Sequence, residues 1–212
     1  MQLLEPPGVY RPQGDTRLLT DALDEAGIHP GSNVLDVGTG TGALAVAAVR
    51  GGAARVTAVD VSARAVVTAW LNALLMPVRV RRGDALVLHY PERFDLVLAN
   101  PPYVPSAPDR RRARAWDGGP DGRKLVDRIC DRAPELLARG GTLLMVHSAL
   151  ADPDATLQRL HRADLKAAVV DRRNQGFGPV LHDRATAFED SGLIMPGQRE
   201  EELVVIRGDR TD

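Results

Sequence analysis

Apolar positions along the chain alternate between short continuous runs and stretches with helical spacing. The continuous runs predict seven strands, centred on Val34, Val56, Val78, Leu96 and Leu143 and then on residues 168–170 and 203–206. Helical spacing between them predicts helices over residues 15–26, 43–50, 63–75, 123–138 and 155–163. This regular alternation is typical of an α/β fold, in which helices cover both faces of a parallel sheet.

The segment from 174 to 198 interrupts the pattern. It contains Gly176, Gly178, Pro179, Gly192, Pro196 and Gly197, so we expect a long, irregular and mobile excursion before the last strand. The sequence contains no repeat and no linker long enough to divide it, and 212 residues with 44% hydrophobic content can bury a sizeable core. We therefore expect a single domain over residues 1–212, which begins with an N-terminal segment and helix over residues 1–26.

The predicted strand around Leu96 runs directly into Asn100-Pro101-Pro102-Tyr103. An amide or aromatic amine delocalises its lone pair, so its nitrogen must be held and polarised before it attacks. The Asn100 side chain and the Pro101 backbone each offer a carbonyl to one N–H bond. Pro101 and Pro102 stiffen the loop, and Tyr103 offers a flat face to a planar group. The motif is typical of enzymes that methylate a planar nitrogen, although a proline-rich turn would read the same way.

A glycine-rich loop follows the first predicted strand. Gly38 and Gly40 allow the backbone to pass close to a ligand between strand and helix. With Ala43 they also fit the spacing of a nicotinamide dinucleotide site. Asp36 argues against that alternative, since a carboxylate at this point suits the cationic amino group of a methionine moiety and repels a pyrophosphate. The loop therefore favours a methyl donor.

Two further aspartates fall at the ends of the next predicted strands. Asp60 ends the second strand, where it can accept hydrogen bonds from two ribose hydroxyls. Asp84 follows the third strand, where it can accept from an adenine amino group. Ligands of open α/β sheets bind at the carboxyl edge of the strands, so three aspartates in succession predict a nucleoside pocket.

Composition limits the classes that remain. The formal charge of −1 argues against strong non-specific binding to nucleic acid. Neither a long apolar stretch nor a leader-like start is present, so we expect a cytoplasmic protein without membrane contact. Cys130 is expected to be a small core residue, and no metal site is expected. The arginine-rich run at 110–114, close to Trp116, is interpreted as a solvated loop, with binding to a phosphate backbone or an acidic protein as alternatives.

These motifs together resemble the HemK-type glutamine methyltransferases, and most of all their short branch that modifies class 1 release factors. Residues 9–16 are similar to that branch's opening segment, which implies that residues 1–26 cover the cofactor site. Residues 116–123 are similar to its glycine stretch, and residues 198–203 to its entry into the final strand. In the family, the positions that match Thr16, Asp36, Gly38, Asp60, Asp84 and Ala85 contact S-adenosylmethionine, and the one that matches Asn100 touches both cofactor and substrate glutamine. The resemblance implies the Rossmann-like class I methyltransferase fold, with seven strands and the last one antiparallel.

The resemblance has limits that bear on the substrate. Bacterial HemK enzymes carry a helical N-terminal domain for which this chain has no room before Tyr10. The short branch works with a small zinc-binding activator subunit, a partner that one sequence does not reveal. Methylation of a protein glutamine, as in a release factor, is the favoured function. Methylation of an adenine or guanine amine in nucleic acid uses the same motif and stays open, as do a small-molecule methyltransferase and a non-catalytic binding protein.

Overall fold

One seven-stranded sheet forms the centre of the computed structural model, which describes residues 3–105 and 118–211. Its strands are β1 (Asn33–Val37), β2 (Arg55–Asp60), β3 (Val78–Arg82), β4 (Phe94–Ala99), β5 (Leu137–Ser148), β6 (Leu165–Gly176) and β7 (Glu200–Arg210). They lie in the order β3-β2-β1-β4-β5-β7-β6, and β7 is antiparallel to both of its neighbours. All seven predicted strands and the antiparallel last strand are confirmed.

Helices cover both faces of this sheet, as the alternation predicted. They are α1 (Gly14–Ala26), α2 (Ala43–Arg50), α3 (Ala63–Asn72), α4 (Lys124–Leu136), α5 (Pro153–Arg162) and α6 (Pro179–Asp190), with a short 3₁₀ helix at Ala149–Ala151. One core layer lies under α1, α2 and α6, and the other under α4 and α5. Cys130 is buried in the second layer, as predicted. None of the helices in the described part of the chain is long and apolar enough to cross a membrane.

The first helix owes its position to an apolar stripe. Leu18, Leu19 and Leu23 are fully or almost fully buried against the sheet, and each contributes about 2 kcal/mol through the apolar surface that it removes from water. Gly27 ends the helix with a positive φ of 70°, a conformation that glycine adopts without strain. This packing fixes the N-terminal turn of α1 at the carboxyl edge of the sheet.

The prediction of an irregular excursion over residues 174–198 is wrong for most of that segment. Residues up to Gly176 extend β6, and α6 occupies Pro179–Asp190. The proline stands in the first turn, where a missing N–H costs nothing. Leu181, Ala185 and Phe188 then follow at helical spacing and are buried in the core. The glycines and prolines of this segment mark the ends of a helix and of its flanking turns.

A helix boundary also differs from the sequence expectation. We predicted a helix over residues 63–75, yet α3 ends at Asn72. Asn72 turns its side chain inward and donates to the backbone carbonyls of Leu4 and Thr41, at 3.0 and 2.9 Å. Leu75 has a φ of 68° and is fully exposed. The hydrogen bonds of Asn72 hold the N-terminal segment to the sheet edge.

Candidate active site

A cavity of about 710 Å³ opens at the carboxyl edge of the sheet. Residues at the ends of four parallel strands line it: Gly38 and Gly40 after β1, Asp60 at the end of β2, Asp84 and Ala85 after β3, and Asn100, Pro101, Pro102 and Tyr103 after β4. Two other residues predicted for the site, Thr16 and Asp36, are buried and do not line the cavity. Parallel strands therefore gather most of the predicted residues around one space.

Asp60 ties the glycine loop to the start of α3. One carboxylate oxygen accepts from the Gly40 backbone N–H at 3.0 Å, and the other accepts from the Ser62 N–H at 2.8 Å. Gly38 and Gly40 have φ values of 70° and 54°, so a residue with a side chain would be strained at either position. Carboxylate oxygens keep lone pairs beyond these bonds. The loop thus holds an acceptor at the cavity wall that suits a diol.

Asp36 lies beneath the same loop and is completely buried. Its Oδ2 accepts from the Thr39 hydroxyl at 2.6 Å and from the Ala45 N–H at 3.1 Å, whereas its Oδ1 has no hydrogen-bond partner among the described residues. Burial raises the pKa of this carboxyl to about 7, although the two hydrogen bonds lower it. An unpartnered buried carboxylate oxygen fits a ligand that carries a cationic amino group.

Asp84, which follows β3, also lines the cavity. Its Oδ1 accepts from the Leu86 N–H at 3.0 Å, and its Oδ2 pairs with Arg128 of α4 at 2.7 Å. Arg128 also lines the cavity, and no sequence signal separated it from the other polar residues of that helix. The pair is about two-fifths exposed on each side, so it orients Asp84 more than it stabilises the fold.

Asn100 is oriented by a side chain from the first helix. Its Nδ2 donates to the Thr16 hydroxyl oxygen at 3.2 Å. The amide nitrogen is thereby directed toward α1, and the amide carbonyl keeps its acceptor capacity. The resemblance predicted that Thr16 contacts the cofactor. In the structure, Thr16 is buried outside the cavity lining and contacts Asn100.

A buried carboxylate anchors both tyrosines of this region. Asp15 is 4% exposed, and it accepts from the Tyr10 hydroxyl at 2.5 Å and from the Tyr103 hydroxyl at 3.2 Å. Burial and the Asp15 charge raise the pKa of both phenols, so they stay protonated as donors. Tyr103 is 8% exposed, so little of its ring is available as the flat face that we predicted. Its main contacts lock the loop to α1.

The glycine stretch that contains Gly118 and Gly122 packs against the backbone of the Asn-Pro-Pro-Tyr loop. Gly118 donates its backbone N–H to the Val104 carbonyl at 3.1 Å. At Gly122, which has a φ of 77°, an added Cβ would lie 2.2 Å from the Tyr103 carbonyl oxygen. Only glycine permits this approach of two backbones. The arginine-rich run at 110–114 and Trp116, which sequence patterns singled out, lie outside the described residues.

Several cavity residues were not named individually as site residues from the sequence, although the resemblance places residues 9–16 over the cofactor. Tyr10, Gln13, Asp15, Gln175 and Glu201 also line the space around the Asn-Pro-Pro-Tyr loop. They come from the N-terminal segment and from the antiparallel strands β6 and β7, which are far apart from that segment along the chain. Asp15 opens α1 in the manner of any acidic first-turn residue, and Glu201 is one of three successive glutamates. Local sequence therefore gave no sign that these residues meet.

Comparison with known proteins agrees with this geometry. The family model described as the methyltransferase small domain matches residues 1–175. A protein N5-glutamine methyltransferase of Methanocaldococcus jannaschii is 32% identical over 180 residues, which cover 82% of this chain and 90% of that relative. Methyltransferase HEMK2 of Mus musculus is 31% identical over 181 residues, which cover 79% of this chain and 85% of that relative.

Longer bacterial relatives and solved structures complete the comparison. The release factor glutamine methyltransferase of Gloeobacter violaceus is 39% identical over 160 residues, 68% of this chain, so the chain spans just over half, 56%, of that protein. A chain of the E. cuniculi Mtq2–Trm112 complex superposes with a TM-score of 0.65 at 24% identity, over 95% of this chain and 98% of that one. The chain therefore belongs to the methyltransferase small domain family and to its HemK-type branch, and it is a methyltransferase whose methyl donor is S-adenosylmethionine.

Proposed function

We propose that this enzyme transfers a methyl group to the side-chain amide nitrogen of a glutamine in a protein such as a release factor. The observation that supports this most is the orientation of Asn100, whose nitrogen is held by Thr16. Its carbonyl oxygen and the Pro101 backbone carbonyl then remain as two acceptors for the two N–H bonds of a planar NH2 group. The names of the relatives from M. jannaschii and G. violaceus favour glutamine as the acceptor.

The residues of this chain act mainly by holding the two reactants in place. Asp60 is suited to the ribose diol, and Asp84 and the neighbouring Ala85 to the adenine. Asp36 lies outside the cavity lining, so it would favour the methionine amino group through its charge beneath the glycine-rich loop. S-adenosylmethionine supplies a methyl group that is already activated on a sulfonium. No strong general base is required at the acceptor, since its proton can leave after attack. Catalysis then rests on orientation, which can supply effective molarities on the order of 10⁵ M.

The acceptor class is tested by labelling. The enzyme is incubated with methyl-labelled S-adenosylmethionine and a lysate, and the products are digested separately with protease and with nuclease. We expect the label to be protease-sensitive and to map by mass spectrometry to a glutamine of a release factor. Label that is lost only to nuclease would assign the enzyme to nucleic-acid amine methylation instead, the alternative that shares the Asn-Pro-Pro-Tyr motif.

Asp36→Asn is expected to weaken S-adenosylmethionine binding by about tenfold or more, because the negative charge beneath the methionine amino group is lost. The Asp36 carboxyl has a pKa of about 7 in the cofactor-free protein. The affinity of the unsubstituted protein for S-adenosylmethionine should therefore rise between about pH 6 and 8. Calorimetry across this range measures both effects. A pH slope that persists in Asp36→Asn would show that another group is responsible.

The Asp36 carboxyl also makes the stability of the folded protein depend on pH. Its pKa is raised from 3.8 to about 7 in the folded protein, so the folded state holds more protons than the unfolded state between these values. The cofactor-free protein should therefore lose stability as pH rises from about 4 to 7. Asp36→Asn should flatten this decline in thermal denaturation, and bound S-adenosylmethionine should oppose it.

We also propose that a small activator subunit covers an apolar surface on α3 and the turn that follows it. Val67, Trp70, Leu74 and Leu75 are all more than half exposed there, and Leu75 is fully exposed. The helix packs beside β3, an edge strand that pairs only with β2 within residues 3–105 and 118–211. Exposed apolar clusters of this kind are typical of protein interfaces. The Mtq2 relative was solved in complex with Trm112, which is the kind of partner that this surface fits.

Replacing Trp70 with serine and Leu75 with aspartate should abolish binding of a purified Trm112-like subunit. The reason is that both side chains are solvent-exposed in the isolated chain, so their loss removes interface area without a cavity in the core. Analytical ultracentrifugation measures complex formation. Val170→Ser, at an exposed apolar position on β6, is the matched control. Complex formation that survives the double replacement would place the partner elsewhere.

A further inference from the structure

Two buried carboxylates face the same end of the cavity as Asn100. Asp15, in the first turn of α1, is 4% exposed, and Glu201, at the start of β7, is 5% exposed. Both line the cavity together with Tyr103. The Tyr103 hydroxyl donates to Asp15, and the charges of Asp15 and Glu201 both raise the pKa of this phenol. We call these two side chains the acidic wall.

The acidic wall has neutral partners only. Asp15 accepts from the hydroxyls of Tyr10 and Tyr103 and from the Thr16 backbone N–H. Glu201 accepts at Oε1 from the Gln175 side-chain amide at 3.1 Å, and its Oε2 has no partner in the described part of the chain. Within residues 3–105 and 118–211, no lysine, arginine or histidine forms an ion pair with either carboxylate. Among the described residues, the negative charge at this end is therefore left uncompensated.

The cations that do line the cavity belong to another element. Lys124 and Arg128 both lie on α4, and Arg128 is engaged by Asp84 at 2.7 Å. Burial raises the pKa of the Glu201 carboxyl, and the nearby Asp15 charge adds to that rise, although hydrogen bonds from Ser148 and Gln175 lower it. The structure places no counter-charge to Glu201 among the described residues, so the nearby Asp15 charge acts on its carboxyl unopposed.

Glu201 is held by the neighbouring strand β6. Gln175 of β6 pairs in register with Glu201 of β7. The Gln175 side chain also packs so closely on α1 that a Cβ added to Gly14 would lie 1.9 Å from its Oε1. Gln175 therefore fills the space that the missing Cβ of Gly14 leaves, and it connects α1 to Glu201. The charge at this wall is fixed in position, which is what makes a field selective.

We propose that the acidic wall, through Glu201 above all, selects an uncharged amide as the methyl acceptor and rejects anionic groups. This inference deepens the proposed function and rests on it. A glutamine side chain entering beside Asn100 meets the negative field without cost, whereas an isosteric glutamate carries a like charge into a water-poor space. A phosphodiester is disfavoured for the same reason. Specificity would then come from repulsion of the wrong acceptor as much as from attraction of the right one.

The test compares two peptides that differ in one group. One contains the glutamine identified by labelling, and the other has glutamate in its place. Binding of both is measured by calorimetry with S-adenosylhomocysteine present, for the unsubstituted enzyme and for Glu201→Gln. We expect a preference for the glutamine peptide of about tenfold or more, and at least a fivefold reduction of that preference in Glu201→Gln.

Glu200→Gln is the matched control, because Glu200 is the exposed neighbour on the same strand and does not line the cavity. It should leave the preference unchanged, and Glu201→Gln should keep its thermal stability and cofactor affinity. Transfer to the glutamine peptide with an unaltered preference in Glu201→Gln would overturn the inference alone. Absence of transfer to that peptide by every variant would overturn the proposed function, and the inference with it.

Discussion

Asn100→Ala is expected to reduce methyl transfer by about 10²- to 10³-fold while S-adenosylmethionine still binds. The substitution removes the side-chain carbonyl that we propose to face the acceptor NH2 group, and with it one of the two proposed acceptors. It also removes the hydrogen bond to Thr16, which is 3.2 Å long. Asp36 and Asp60, the carboxylates that we propose for the cofactor, keep all of their contacts. The loss should therefore fall on kcat/KM, measured by steady-state kinetics, and calorimetry should show a small change in cofactor affinity.

Two further variants make this result interpretable. Thr16→Val leaves Asn100 in place but removes its orienting partner, so it should cause a smaller loss of transfer, of about tenfold. Asn174→Ala changes the same residue type at an exposed position outside the cavity lining and should have no effect. Near-normal turnover by Asn100→Ala would sink the assignment of this residue to the reaction.

Gly122→Ala is expected to destabilise the fold by about 3 kcal/mol or more and to remove activity with it. The added Cβ would stand 2.2 Å from the Tyr103 carbonyl oxygen, and the residue has a φ of 77°. A left-handed conformation alone costs a residue with a side chain about 1–2 kcal/mol. The contact adds to that cost, because its partner is a backbone atom of the Asn-Pro-Pro-Tyr loop and cannot rotate away.

Gly192→Ala separates these two contributions. Gly192 has almost the same φ, 72°, and nothing lies within 4 Å of its Cβ position, so it should lose only the conformational part, about 1–2 kcal/mol. Chemical denaturation of the three proteins measures the difference. If Gly122→Ala proved as stable as Gly192→Ala, close packing under Tyr103 would not be what fixes the loop.

The sheet could be predicted because its strands are short apolar runs separated by helical spacing. Val34, Val56 and Leu96 mark central strands that are buried on both faces, and such strands carry a signal that needs no partner to be recognised. The helix α6 was missed for the opposite reason. Its bounding residues Gly178, Pro179 and Gly192 are the residues that also make irregular loops. Only the buried face of Leu181, Ala185 and Phe188 decides between the two.

The candidate site likewise contains some residues that could be placed from the sequence and some contacts that could not. Asp60, Asp84 and Asn100 could be placed because each follows a strand, and parallel strands bring their carboxyl ends together. The hydrogen bond between Tyr103 and Asp15 joins residues 88 positions apart, and no local pattern encodes it. Asp36 was predicted for the site from its place before the glycines, yet its complete burial beneath the loop depends on how Ala45 and Thr39 pack around it.

The reversed direction of β7 has a consequence for how recognition can change. Because this strand runs against its neighbours, its first residues, including Glu201, reach the edge that the parallel strands reach with their last. Asp36, Asp60 and Asp84, which we propose for the methyl donor, therefore lie on the first half of the sequence, whereas Glu201 of the proposed acidic wall lies on β7. On the proposed function, substitutions around Glu201 would alter the choice of acceptor while these three aspartates are inherited unchanged.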